Sequence, residues 1–270
     1  MSQLTTGARP VPPWLITHSY ADRDAGVLKS GKEAEVFLVE RTSAEGSCLL
    51  AHKRYRPRYP SIGELREKGF SKGTIYRADK VYRLGWNLNR RDRLHVESRS
   101  HAGSQMAASM WPANELAMLQ RAWQAGAAVP YPVDRTDDGL LMEFIGNHDM
   151  AAPRLVNADL SRMEVADARD QLIASVRAMS ASGVVHGDLS AYNLLWWEGR
   201  LVVIDFPQAV DATTNPYAAE LLRRDVANVC GWFERRRLDI DVDKLYAELV
   251  GLLFGYGLGK APLVQDPLMT

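Results

Sequence analysis

From residue 27 to 40 (VLKSGKEAEVFLVE) and again from 48 to 55 (CLLAHKRY), apolar and polar positions alternate in short runs broken by Gly, Ser and Glu. That period of two predicts antiparallel strands with one buried face. The period lengthens at 110–126 (MWPANELAMLQRAWQAG), where Trp111, Met118, Leu119 and Ala122 fall on one helical face, Pro112 suits a first turn and Gly126 a stop. Glu115 lies on that same stripe, and a carboxylate facing a core requires a cationic partner brought from elsewhere. The prolines and Asp-Asp-Gly of 127–139 predict loops and a hairpin. The apolar strand LLMEFIG follows and ends at Gly146, a place for a connection between two lobes. From about 160 the pattern is helical, with Val165, Ala168, Leu172, Ile173, Val176 and Met179 in a stripe that stops at Ser182-Gly183. The first 25 or so residues are Pro-, polar- and turn-rich and predict a loosely held lead-in. The expected division is a lead-in over 1–26, a first lobe over 27–142 and a second over 143–270.

The densest chemistry sits in VVHGDLSAYNLLWWEGRLVVIDFPQ, residues 184–208. A short apolar run delivers Asp188 onto a loop, and NLLWW, EGR and LVVIDF read as a β-hairpin that folds Asn193 and Asp205 toward each other. Two carboxylates and a carboxamide oxygen make a hard-oxygen site suited to Mg²⁺ carried by a polyphosphate. Asp188 can orient or deprotonate an attacking hydroxyl, as phosphoryl transfer requires. Isolated Asp and Asn are more often caps and turn formers, but three in this order on these elements are a poor coincidence. The first lobe supplies a cation: Lys53 ends a predicted strand on the same face as Ala51, a small residue that lets a flat base approach. A lone strand lysine is more often a solvated edge charge, but Lys53 also answers the need of Glu115. SGKEAEV, 30–36, lies where a phosphate-covering loop belongs. It matches neither GxxxxGK[ST] nor GxGxxG, so Ser30 and Lys32 are the candidate side-chain phosphate contacts.

Composition narrows little else. Lys+Arg and Asp+Glu both number 33, so net charge points to no class of partner, and 46% hydrophobic residues suffice for a core. The two cysteines, Cys48 and Cys230, lack ligand-spaced neighbours, which argues against disulfides and structural zinc and fits a reducing cytoplasm. The N-terminus lacks a basic-then-apolar pattern, and the apolar run near 245–259 is broken by Glu248 and four glycines, so neither a signal peptide nor a membrane span is expected. Residues 53–95 carry about thirteen Lys/Arg against about four Asp/Glu. This basic insertion reads either as a solvated loop or as a surface for RNA or an acidic partner.

Taken in order, SGKEAEVF, Lys53 in LLAHKRY, Glu115 in WPANELAMLQRAWQAGAAVPYP, LLMEFIG, HGDLSAYN and IDFPQAV resemble the RIO family of atypical serine/threonine protein kinases, most closely its first-type branch. The resemblance spans residues 27 to about 235. It implies an α+β, two-lobed protein-kinase-like fold, with a small antiparallel-sheet N-lobe, a mainly helical C-lobe and no activation segment. It also implies ATP as nucleotide, with Ser30, Lys32, Val36, Ala51, Lys53, Ser190 and the hinge at Glu143 and Ile145 around it. Asp188 is then the catalytic Asp, Lys53 and Glu115 form a catalytic ion pair with each other, and Asn193 and Asp205 hold Mg²⁺, for which Mn²⁺ can substitute. Pro207 replaces the usual glycine after Asp-Phe, so Asp205 is expected to be held rigidly as a metal ligand and, in this family, as a nucleophile that forms an aspartyl phosphate.

Two features depart from the family. Lys29-Ser30 stands where Ser-Thr is expected, and the chain has no long C-terminal extension, as in a compact prokaryotic form. Two other functions stay open. One is a small-molecule phosphotransferase of the aminoglycoside or choline kinase type, which shares HGDxxxxN but is expected to carry His at Ser190. The other is a nucleotide-gated assembly factor that binds RNA or protein and uses ATP hydrolysis as a switch in ribosome assembly. The phosphate acceptor is not written in the sequence.

Overall fold

The computed structural model describes residues 9–31, 34–55 and 101–255, with side chains of the last stretch from residue 112 onward. Three consecutive antiparallel strands, β1 (Ala21–Ser30), β2 (Ala34–Ser43) and β3 (Gly46–Tyr55), lead into the long helix α1 (His101–Gln124). The hairpin β4 (Pro132–Arg135) and β5 (Gly139–Glu143) then completes a five-stranded sheet in the order β1-β2-β3-β5-β4. Strand β5 can lie against β3 only because residue 139 is glycine: a Cβ there would stand 1.9 Å from the backbone oxygen of Lys53.

Two expectations for this lobe are corrected. From residue 9 onward the lead-in is docked, and β1 begins at Ala21 inside it. Leu15 and Ile16 pack on the Val39, Cys48, Leu50 and Leu141 face of the sheet, Trp14 meets Tyr131 edge-on at 6.3 Å, and the Arg9 guanidinium lies 4.4 Å above the Trp123 ring. Helix α1 begins at His101, so Pro112 is an interior residue and not a first-turn one. The sequence from 101 to 110 carries no stop signal, and the helix tolerates the N–H that Pro112 lacks. The expected stripe holds at Met118, Leu119 and Ala122, all buried; Trp111 lies outside the described side chains, as residues 56–95 of the basic insertion lie outside the described residues.

Beyond β5 the fold is mainly helical. Helix α2 (Arg162–Ala181) opens with a capping box between Ser161 and Glu164 and buries Val165, Ala168, Leu172, Val176 and Met179. Two short strand pairs follow: β6 (Val184–Val185) pairs with β9 (Val210–Asp211), and β7 (Leu194–Trp197) with β8 (Arg200–Val203). The two-residue turn of the second pair has φ +49° at Glu198 and +76° at Gly199, the mirror-image turn that matches strand twist. Helices α3 (Ala218–Glu234) and α4 (Val242–Gly255) close the lobe, and the Arg177 guanidinium of α2 grips Glu248 of α4 at 2.6 and 2.9 Å. Only residues 212–217 separate β9 from α3, so no activation segment intervenes. The architecture is the expected two-lobed, kinase-like α+β fold.

Candidate active site

A cleft of about 460 Å³ separates the sheet from the helical lobe, within the range of small-ligand pockets. Strand alternation turns Ala51, Lys53 and Tyr55 of β3 toward it, and Val36, the register partner of Lys53 on β2, lines the same wall. At one end Met142, Phe144, Ile145 and Leu195 make an apolar slot. The connecting segment there is tied down at both flanks: Glu143 N donates to Tyr131 O at 2.8 Å, and Ala152 N donates to Ile145 O at 2.9 Å. The Glu143 carboxylate turns back to accept from Tyr131 N at 3.0 Å, and burial pushes its pKa up. The Ile145 N–H, on a buried residue, makes no hydrogen bond among the described residues, so the slot offers an unmet donor beside a flat apolar wall.

The other end is charged. Lys53, 7% exposed, donates to Glu115 Oε1 at 2.7 Å and to Asp205 Oδ1 at 2.6 Å. Burial works to lower the Lys53 pKa, but the two carboxylates outweigh it and hold the ammonium firmly protonated. Burial raises the pKa of Glu115, which is 2% exposed, and Lys53 offsets this only in part. Asp205 is less enclosed, and there the pull of Lys53 overcomes burial and lowers the pKa. Glu115 Oε1 also accepts from Phe206 N at 3.0 Å, so one oxygen of α1 joins the lysine to the backbone beside Asp205.

Asp205 itself sits at φ +74°, a left-handed conformation that a non-glycine residue keeps only when its surroundings enforce it. Those surroundings are visible: Phe206 is 1% exposed and packs on the His186 ring at 4.8 Å, and Pro207 follows with its fixed φ. Helix α1 is bound to the same segment twice more. Asn114 Nδ2 donates to Ala209 O at 3.2 Å, and Arg121 pairs with Asp211 and donates to Ser182 O.

Asp188 lies exposed on the cleft floor, on a loop that is closely held. His186 Nε2 faces Ile204 O at 3.0 Å while its Nδ1 accepts from Asp188 N at 3.3 Å, two partners that together require the Nε2–H tautomer. Asp225 of α3, 1% exposed, accepts from Gly187 N at 2.6 Å and Leu189 N at 3.0 Å. Burial raises its pKa, against the pull of His186 and both N–H groups. Asn193, buried, spends its Nδ2 on Asp188 O at 2.8 Å, which leaves its side-chain oxygen as a donor for a cation. No group of three or more His, Cys, Asp or Glu placed to hold a metal ion by themselves occurs among the described residues. A cation here would be shared between few protein oxygens and a ligand's own, the manner in which Mg²⁺ is held with phosphates.

The structure thus gathers Lys53, Glu115, Asp188, Asn193 and Asp205 in one region, with Val36, Ala51, Glu143 and Ile145 along the cleft. Two of the expected residues do not line the cleft. Ser30 donates to Glu35 at 3.0 Å and does not line the cleft, because a β-bulge at Leu28 shifts the register of β1 and presents Lys29 instead. Ser190 stands at the N-cap position of the short 3₁₀ helix Ala191–Asn193, without a side-chain cap hydrogen bond, and likewise lies off the cleft wall. Lys32 lies outside the described residues. The sequence reading missed Lys29 and Arg154, both on the cleft, and Asp225. For Asp225 a signal existed: it shares the apolar stripe of Leu221, Leu222, Val226 and Val229, the situation that singled out Glu115.

Residues 70–245 match the RIO domain family. The chain is 38% identical over 237 residues to the RIO-type serine/threonine-protein kinase Rio1 of Haloferax volcanii, covering 88% of this chain and 72% of that protein. It is 32% identical over 246 residues to the Methanocaldococcus jannaschii protein of the same name, with the same two shares. It is 28% identical over 234 residues to the human serine/threonine-protein kinase RIO1, covering 84% of this chain but only 36% of that much longer relative.

Proposed function

The chain belongs to the RIO domain family and is an atypical protein kinase, and we propose that it transfers the γ-phosphoryl group of ATP to serine or threonine of a protein acceptor or of itself. One observation carries this reading: Lys53 is held by two carboxylates at the charged end of a cleft whose other end is an apolar slot with an open N–H. The slot takes the base, with Ile145 N–H donating to it and Ala51 leaving room above. Lys53 meets phosphate oxygens, and Glu115 fixes where its ammonium stands. Asp188, backed by Asp225 and His186, accepts or orients the proton of the attacking hydroxyl. Asn193 and Asp205 fit Mg²⁺ through their oxygens; when bound, the metal neutralises charge on the phosphates.

A second acceptor is favoured by the way Asp205 is held. A carboxylate locked at φ +74° by Phe206 and Pro207 cannot swing out of the cleft, so its oxygen can itself attack the γ-phosphorus. The bond to ADP breaks, an aspartyl phosphate forms, and water later releases phosphate, which makes the protein an ATPase switch. Incubation with γ-labelled ATP and Mg²⁺, with and without ribosomal particles, separates the outcomes. Label on serine or threonine supports the kinase, hydroxylamine-labile label lost in Asp205→Asn supports the switch, and unchanged turnover in Lys53→Ala or Asp188→Ala overturns the assignment of the site. Among the described residues no helix is long and apolar enough to cross a membrane.

A further inference from the structure

We propose that Lys29 and Arg154 form a second cationic pair that clamps the polyphosphate of the nucleotide between the two lobes, an inference that rests on the nucleotide reading of the cleft. Three cations line the cleft among the described residues: Lys29, Lys53 and Arg154. Lys53 is already satisfied by two carboxylates. Lys29 and Arg154 have neither an ion pair nor a side-chain hydrogen bond among the described residues. They come from opposite sides: Lys29 from the end of β1 in the roof, and Arg154 from the segment that leads into the 3₁₀ helix Leu155–Asn157 and bridges to Leu195 in the floor.

The roof residue is aimed by the backbone. The bulge at Leu28 breaks the alternation of β1, so that Leu28 and Lys29 both reach the cleft while Ser30 turns to Glu35. Lys29 also stands where this family's loop is expected to carry serine, so this chain has a charge where a hydroxyl would serve. The field at Lys29 agrees with the geometry: burial, then Arg154, lowers its pKa, with Asp205 pulling the other way and Lys53 adding to the repulsion. Two like charges that face one space across the lobes disfavour a closed cleft when it is empty and favour it once an anion lies between them.

The clamp makes affinity depend on the number of phosphates and on salt, which a merely solvated pair would not do. Calorimetric titration of the full chain with ATP, ADP, AMP and adenosine tests this for wild type, Lys29→Ser and Arg154→Leu at low and high salt. Each substitution is expected to weaken ATP about tenfold, the scale of one lost charge-assisted contact, to weaken ADP less and to leave adenosine unchanged. The salt dependence of ATP binding should flatten in both. Variants that bind ATP as tightly as wild type overturn the clamp alone. Equal losses for ATP and adenosine also overturn it, since they locate the effect at the base. A wild type that binds no ATP overturns the nucleotide reading and the clamp together.

Discussion

Replacing Glu115 by glutamine distinguishes a buried pair that positions Lys53 for chemistry from one that only holds the lobes together. Glutamine keeps the shape and one acceptor oxygen, which can still receive Lys53 Nζ and Phe206 N, but it deletes the charge. Its amide nitrogen must occupy the place of Glu115 Oε2, which is buried without a partner. Exchanging carboxylate for amide oxygen makes the bond from Phe206 N neutral and weakens that from the Lys53 ammonium, at about 1–2 kcal/mol, and an unmet buried donor costs about 1–3 kcal/mol. The second figure is partly offset because the oxygen it replaces is itself unmet, so the net expectation is about 2–3 kcal/mol. The larger penalty of about 3–5 kcal/mol for an abandoned buried charge is not reached, because Lys53 keeps Asp205, whose side chain is 38% exposed.

Catalysis should fall for a different reason. Without Glu115 the ammonium is drawn toward Asp205 and away from the phosphates, a misplacement expected to lower single-turnover phosphoryl transfer about tenfold. Lys53→Ala removes the cation itself and should cost about 10²-fold or more. Urea denaturation measures the first quantity and single-turnover transfer from labelled ATP the second. Glu115→Gln with the stability loss and full activity would refute the positioning argument and leave a structural pair. A loss of activity equal to that of Lys53→Ala would refute the idea that the lysine survives misplaced.

Asp225→Asn must set its amide nitrogen against the N–H of either Gly187 or Leu189, since both carboxylate oxygens now accept. It should therefore cost about 2–3 kcal/mol in urea denaturation and lower kcat while the KM for ATP holds. Burial, with Glu234 nearby, pushes the Cys230 thiol up to about 11, and Cys48 is buried too. With only about 0.1% thiolate at pH 8, Cys230 should resist iodoacetamide in the native protein, and both thiols should label once it is unfolded in urea; rapid native labelling would contradict the packing. Reversing Arg66, Lys68, Lys72, Arg77 and Lys80 together should weaken binding to ribosomal RNA or an acidic protein in a salt-dependent way while ATP affinity holds; unchanged binding to every polyanion tested would make the stretch a solvated loop.

What the sequence revealed and what it concealed follow from how far each interaction reaches along the chain. The hairpins were legible because a period of two and the turn residues that join them lie within a few positions, and Asn193 and Asp205 could be placed together by one such hairpin. Glu115 was found by a different route: a charge on an apolar stripe is costly, so it announces a partner even when that partner lies 62 residues away. The same reasoning applied to Asp225, also surrounded by an apolar stripe, would have found the support of the catalytic loop. Ser30 misled because a single bulged residue upstream exchanges the faces of a strand, and hydrophobic alternation in so exposed a strand is too weak to reveal the slip. Arg154 left no trace in the sequence, and Lys29 only its mismatch with the serine expected there. Each alone is an ordinary polar residue near a turn, and no local cost marks it, because the energy that couples them is repulsion across an open space that only the folded lobes create. A pair of this sort, facing one cleft from opposite lobes, is visible only in three dimensions.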